Sequence, residues 1–463
     1  MNAILKNNRG WRILRRVLIT LAIIATLVAL IYTEENWRGK RAWERCRQQL
    51  EAQGAIFDWN TRIPPPVPDE QNIFKAPKMT AWFVGRGETD LSKRLANPKT
   101  SSVGNATNAI QTKADARDYL AWSDQFSPDF EMIRTALKRP YARIDCDYSR
   151  PMTVLAPNFF TVRIVVQTLA QRTRCFLLLD EPDKALQELT SMHDFCRILE
   201  GAPSVKPITL VAAMINVAVT GLYADTIADG LRMHAWREPQ LAALEQQLGE
   251  IHLETFIAET FVDEPMFTLQ TLETSSRPQL VKLFTGNSKE TVFLLKYAPE
   301  GWLYQFMVFH AQLNKKFSTG FDAADQTVSP REIDDAGRLL QDHIAHVSPY
   351  NFLASWVTPN LVKALQRFAL NQTSANEAAV ACALERYHLA HGEYPEMLDA
   401  LTPQFIEKLP HDIIGGQPLH YRRTNDGKFL LYSIGWNETD DNGKDSGSDL
   451  TQISTQGDWV WKG

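Results

Sequence analysis

The run VLITLAIIATLVALIY, Val17 to Tyr32, carries no charge and follows directly on Arg15 and Arg16. A helix through it presents apolar side chains on every face, so it must end up inside a large core or inside lipid. Lys6, Arg9, Arg12, Arg15 and Arg16 precede it, and no acid does. The run is slightly short of the about 20 residues that cross a bilayer. Trp11, Ile13 and Leu14 extend it, while Arg15 and Arg16 can reach back to the headgroups. A cleaved signal peptide is the alternative, and it needs small residues at an A-x-A-like site. The end of the run, ALIYTEEN, offers none. The pattern therefore favours an uncleaved signal anchor with its basic flank in the cytoplasm and the rest of the chain extracytoplasmic. That describes a single-pass inner-membrane protein, with residues 1–33 as basic flank and transmembrane helix.

Residues 34–56, from EENWRGKRAWERCRQQLEAQG onward, predict a continuing helix that stops near Gly54. It is either a stalk or a helix that packs on the body through Trp37 and Trp43. IPPPVPDEQ, Ile63 to Gln71, excludes helix through its consecutive prolines. Residues 57–114 are accordingly expected as an extended linker region. At 463 residues the chain exceeds one ordinary core, so two or more domains are expected. Its formal net charge of −5, without long blocks of one sign, argues against nucleic acid as a partner.

Residues 115–357 read as an irregular helical array. Val162, Val165, Val166, Leu169 and Thr173 keep helical spacing. Asp180 to Asp183 breaks the run at Pro182, and Ala185, Leu186, Leu189 and Cys196 continue on a second helix. The unit is similar in style to a tetratricopeptide hairpin, but no repeat of that period is present. A second uncharged run, Ile208 to Ala224, is long enough to span. Its Thr209, Asn216, Thr220, Gly221 and several alanines favour a close-packed core helix instead. Cys46, Cys146, Cys175, Cys196 and Cys382 contain no CxxC pair. Buried thiols are expected, with one optional bridge open, for example between Cys175 and Cys196.

The chain lacks a GxSxG elbow, a GxxxxGK loop, an HExxH helix and a Rossmann glycine pattern. His343 and His346 share a helical face and could share a metal, although no third ligand is evident. His388 and His391 fall in a last helical turn before Gly392, where the helix dipole favours them. Phe429 to Ile434 alternates as a strand and ends at Gly435. Asp440, Asp441, Asp445 and Asp449 follow it: a solvated turn, or a calcium loop whose spacing is not that of an EF-hand.

Within residues 358–463, expected as a long helix plus a small β-sheet module, the stretch from Asn376 to Asp445 resembles the globular half of type II secretion major pseudopilins. The resemblance rests on Tyr387, Gly392, Tyr394 and Pro395, then on Pro410, Asp412, Gly415 or Gly416, Pro418 and Tyr421, and last on Tyr432, Ser433 and Gly435. Ile413 and Ile414 stand where that family has a proline and an aromatic. The resemblance implies a long helix with a small β-sheet module, and a calcium ion in the final loop, with Asp441 and Asp445 as its side-chain candidates. The whole chain is also similar to a group of large bacterial membrane-anchored proteins of uncharacterised activity. That likeness is carried by ENWRGKRAWE, by Arg139 to Arg143, by ACALERYHLAHGEYPE and by GDWVW, Gly457 to Trp461.

The expected fold is mainly α: an irregular helical array with an N-terminal transmembrane helix and a small C-terminal α+β pseudopilin-like module. The expected function is a non-enzymatic scaffold or binding protein of the envelope, with a protein partner near a secretion or pilus-like system. The alternative is an envelope hydrolase whose acids meet between the array and the terminal module, drawn from Asp145, Asp147, Glu259, Asp263 and Glu264.

Overall fold

In a computed structural model, residues 2–96, 110–148, 155–199, 209–283, 289–345, 348, 350–351, 353–354, 361–445 and 457–461 are described. With 68% of the chain helical and only small sheets, the class is mainly α. The helices are α1 (Asn2–Ala52), α2 (Met79–Phe83), α3 (Asp90–Leu95), α4 (Lys113–Ser123), α5 (Ser127–Leu137), α6 (Phe159–Leu178), α7 (Pro182–Leu199) and α8 (Leu210–Arg232). There follow α9 (Glu238–Gly249), α10 (Leu253–Thr274), α11 (Arg277–Leu283), α12 (Lys289–Tyr297) and α13 (Glu300–Ser318). A two-residue ladder, β1 (Phe321–Asp322) with β2 (Thr327–Val328), precedes α14 (Pro330–Ala345) and α15 (Leu361–His391). Last comes an antiparallel sheet in the order β3 (His420–Arg423), β4 (Phe429–Ser433), β5 (Trp459–Val460).

The chain divides into two units. The first comprises residues 1–57, 268–314 and 339–359. Its α1 is one unbroken helix with two different surroundings. From Trp11 to Ile31 the large apolar side chains are exposed. Further along, Trp43, Cys46 and Leu50 are buried with Leu269, Met307 and Ala311. Of the two expectations for residues 34–56, packing on the body holds through Trp43, whereas Trp37 is 61% exposed. The contact is close because glycines meet there: a Cβ on Gly301 would lie 2.0 Å from the Glu35 carbonyl oxygen, and one on Gly39 2.3 Å from that of Gly301. Trp302 and Tyr350 both donate to the Glu35 carboxylate, at 3.1 Å each, and Arg38 pairs with it at 2.7 Å.

The second unit comprises residues 58–267, 315–338 and 360–463. The helical pair α6–α7 forms as the sequence predicts, with the chain turning at Asp180 (φ 62°) ahead of Pro182. Cys175 and Cys196 are both buried free thiols. Burial pushes the Cys175 thiol up to about 12, which makes it unreactive at neutral pH. Helix α8 carries the second apolar run as a core helix, with Ala213, Val217, Tyr223, Ala224 and Ile227 fully buried. Gly221 lets α15 come close: a Cβ there would lie 2.5 Å from Asn371 Nδ2, which donates to the Val217 carbonyl at 2.7 Å.

Residues 57–114 correct one expectation. Prolines 64–66 are extended, but Asp58–Leu95 carries short helical turns along with α2 and α3, and buries Trp59, Ile73, Phe74, Met79, Trp82 and Leu91. Bridges Asn72–Tyr141 and Val84–Pro157 fasten it down. Proline excludes helix locally, but it does not stop neighbouring aromatics from finding a core.

Candidate functional site

Two cavities in the second unit have the shape of binding sites. The larger is a groove of about 450 Å³ between α6, α8 and α15. Its floor is the face of α8 bearing Met214, Ala218, Leu222 and Asp225. Steps of four, four and three residues keep these on one side over about 16 Å of helix. Small Ala218 leaves room between larger neighbours. Phe159, Val162 and Val166 form one wall and Asn371 part of the other. Phe159, Phe160 and Val211 stay 39%, 53% and 57% exposed, leaving the amino-terminal ends of α6 and α8 apolar toward solvent. Arg163 from α6 and Arg367 from α15 also line the groove. Among the described residues neither guanidinium appears in an ion pair.

The smaller cavity, about 210 Å³, lies where α9, the start of α10 and α15 meet the loop before β3. A polar network lines it. Gln326 Nε2 donates to Glu254 Oε1 at 3.1 Å and approaches His252 Nδ1 at 3.4 Å. His411 Nε2 lies 3.2 Å from the Gln326 carbonyl oxygen. Gln372 accepts from the Leu253 amide at 2.8 Å and donates to the Ile251 carbonyl at 3.1 Å. His252 Nδ1 is 3.3 Å from Glu254 Oε1. That pairing would suit a carboxylate-oriented base. The Gln326 amide also lies against both groups, and no serine, threonine or cysteine lines the cavity. The network holds three chain segments together.

The acids expected to meet in a cleft are dispersed and line neither cavity. Asp145 is exposed and pairs with Lys75 at 2.5 Å. Asp263 is buried in an ion pair with Arg62. Glu264 accepts from the Leu210 amide at 3.1 Å and so caps α8, with burial holding its carboxyl above the usual range. Asp147 and Glu259 lie outside both cavities as well. His343 stacks on Phe309 at 3.5 Å, and its partner His346 lies outside the described residues. His391 Nδ1 lies 3.0 Å from the Tyr387 carbonyl, and His388 stacks on Tyr394 at 4.7 Å. Both close the last turn of α15 as their position predicts.

In the acidic loop the carboxylates face the loop's own amides. Asp441 Oδ2 accepts from Gly457 N at 3.1 Å and from Asn437 Nδ2 at 3.0 Å. Asp440 accepts from Asn442 N at 2.8 Å and Tyr432 Oη at 3.1 Å. Asp445 pairs through its backbone with Asp458. Asp449 lies outside the described residues. Among the described residues no three His, Cys, Asp or Glu side chains gather so as to hold a metal. Two residues to which the sequence assigned no structural role organise this region. Fully buried Asp458 accepts from Asp441 N at 3.1 Å and Gly443 N at 2.6 Å. Asp412 accepts from Ser433 Oγ at 2.8 Å, Ile414 N at 2.9 Å and Ile434 N at 3.1 Å, tying the loop before β3 to the end of β4. Asp412 was noticed as a motif position and Asp458 sits in the GDWVW ending, so the signal was present without a partner to explain it.

No protein-family model, no curated protein and no solved structure matches the chain.

Proposed function

We propose that this chain is a membrane-anchored scaffold or binding protein of the bacterial envelope, and that the α6–α8–α15 groove receives a segment of a protein partner. The observation that carries this reading is an apolar trough flanked by Arg163 and Arg367. A trough of this length suits the apolar face of an amphipathic helix. Two arginines select acidic residues along its edge. The long apolar helix α1 is compatible with a transmembrane anchor. The basic flank argues for a cytoplasmic amino terminus and an extracytoplasmic body on the inner membrane. The motif likeness of the terminal module to pseudopilins points to a partner from a secretion or pilus-like apparatus. For the hydrolase alternative, the 210 Å³ cavity holds no serine, threonine or cysteine in its lining and none of the five acids expected to act.

The test places a benzophenone photocrosslinking residue at Ala218 of the full-length protein in cells. A discrete protein adduct is expected. Its yield falls by roughly tenfold or more when Arg163→Glu and Arg367→Glu are combined. A lipid adduct, or a yield indifferent to both substitutions while the protein melts normally, would overturn the reading.

A further inference from the structure

We propose that helices α11 and α12 form a second membrane contact, seated in the outer interfacial layer of the bilayer beside the anchor. The inference rests on α1 being a transmembrane helix. The Tyr32 hydroxyl, at the end of the uncharged run, donates to the Tyr297 carbonyl at the end of α12. Side chains on a helix tilt toward its amino terminus, which for α1 is the membrane side. The Tyr297 carbonyl therefore lies at or below the level of the Tyr32 Cα. Gly301 meets α1 about one turn further out, at Glu35 and Asn36. Followed backward from Gly301 to Tyr297, the chain descends toward the apolar run.

What it carries there suits an interface. Phe293 is 60% exposed and Tyr297 51%, with ring centroids 4.9 Å apart on one face of α12. Leu283, at the end of α11, is 43% exposed. Lys289 and Lys296 are exposed on the same helix, with Lys296 Nζ 5.1 Å from the Tyr297 ring. Aromatic rings with lysines beside them match the composition of a membrane–water boundary. Depth agrees as well. Val17 to Tyr32 spans only about 24 Å of helix, against a hydrocarbon core of about 30 Å. Extended back to Ile13 and Leu14, the run fills that core over about 30 Å, and its outer boundary then falls at Tyr32, the level of Tyr297.

The experiment uses the full-length protein in phosphatidylethanolamine–phosphatidylglycerol liposomes, with the benzophenone residue in place of Ile24, Phe293 or Leu389. Leu389 is 52% exposed in the other unit. Mass spectrometry reads the lipid adducts. Adducts at positions 24 and 293 but not 389 are expected. An adduct at 24 without one at 293 overturns the second contact and leaves the anchor standing. Equal adducts at 293 and 389 overturn it as nonspecific labelling. An adduct at 293 without one at 24 removes the anchor and, with it, the contact proposed beside it. Failure at both removes both.

Discussion

Among the described residues, α1 and α8 are both long and apolar enough to cross a membrane, yet they have opposite surroundings. None of the apolar window of α1 is buried against protein, whereas 67% of that of α8 is. Hydropathy alone ranks them together. What separates them is the side chains. The run in α1 is mostly Leu, Ile and Val behind a basic cluster. Helix α8 interleaves Gly221, Asn216, Thr220 and alanines, which let neighbouring helices come close and leave polar groups to be satisfied by protein. Small and weakly polar residues mark the helix that other helices pack on, and the bulkier run of α1 is left unburied, which is compatible with a membrane anchor.

The largest effect that would break this comparison comes from placing a charge in each helix. Val217→Asp buries a carboxylate in the α8 core and should cost more than about 4 kcal/mol, abolishing the folded body. Leu21→Asp should leave the melting of the body unchanged and instead weaken insertion by about 2.5–3.5 kcal/mol. Melting and membrane fractionation of the two variants check this, and similar outcomes would show that the two helices share one environment.

The helices that pack on each one carry buried titrating groups of opposite sign. His310 on α13, in the first unit, is fully buried with Nδ1 unpartnered, and burial pushes its pKa down to about 4. A depressed histidine favours its neutral form in the fold. Stability is therefore intact above its usual 6.5 and falls with pH from there toward about 4, by roughly 3 kcal/mol in all. Glu377 on α15, in the second unit, is held well above its usual 4.5, first by burial, then by the Asp412 charge, against which the Ser433 amide works. A raised carboxyl favours its protonated form in the fold, so this contribution is present at low pH and lost as pH rises through the folded value. His310→Gln should flatten the acid limb of the melting curve, and Glu377→Gln should raise the melting temperature more at pH 8 than at pH 5. Equal effects at both pH values would remove the assignment of these slopes.

The smallest test concerns glycine. Gly221→Ala puts a methyl group against the Asn371 amide and should cost about 1–3 kcal/mol. Gly10→Ala in α1 meets nothing within 4 Å and should leave thermal stability unchanged or slightly raised. Parallel thermal melts would show whether close packing sets the difference.

Much of the helical frame was legible. The break at Pro182, the stop at Gly392 and the strand from Phe429 are local signals that survive into the fold, although burial along β4 rises toward Ser433 and does not alternate. Groove and network were not legible, because they depend on which distant segments meet. Arg62 finds Asp263, Asp412 finds Ser433 and Asp441 finds Gly457 through tertiary packing that no spacing announces. The acids expected to form a catalytic cluster were identified by type alone. Each is instead fixed by its neighbourhood: Glu264 caps a helix and Asp145 sits on an exposed lysine. Ile63 to Pro68 stays out of helix as its prolines dictate, but Asp69–Gln71 forms a short 3-10 turn and the neighbouring segment packs, because Trp59 and Trp82 gain more from burial than proline takes away.

Helix α1 runs without a break from its apolar segment to Trp43, Cys46 and Leu50. Each residue of an α-helix advances the rotation by about 100°. The face that α1 turns to its surroundings at Ile24 is therefore set in phase with the face that enters the core at Trp43. One residue inserted between Tyr32 and Trp43 would have to rotate the anchor by that angle or withdraw Trp43 from its place. The chain thus holds its unit at a fixed rotational setting, as a key does in a lock, where a flexible tether would leave it free to spin.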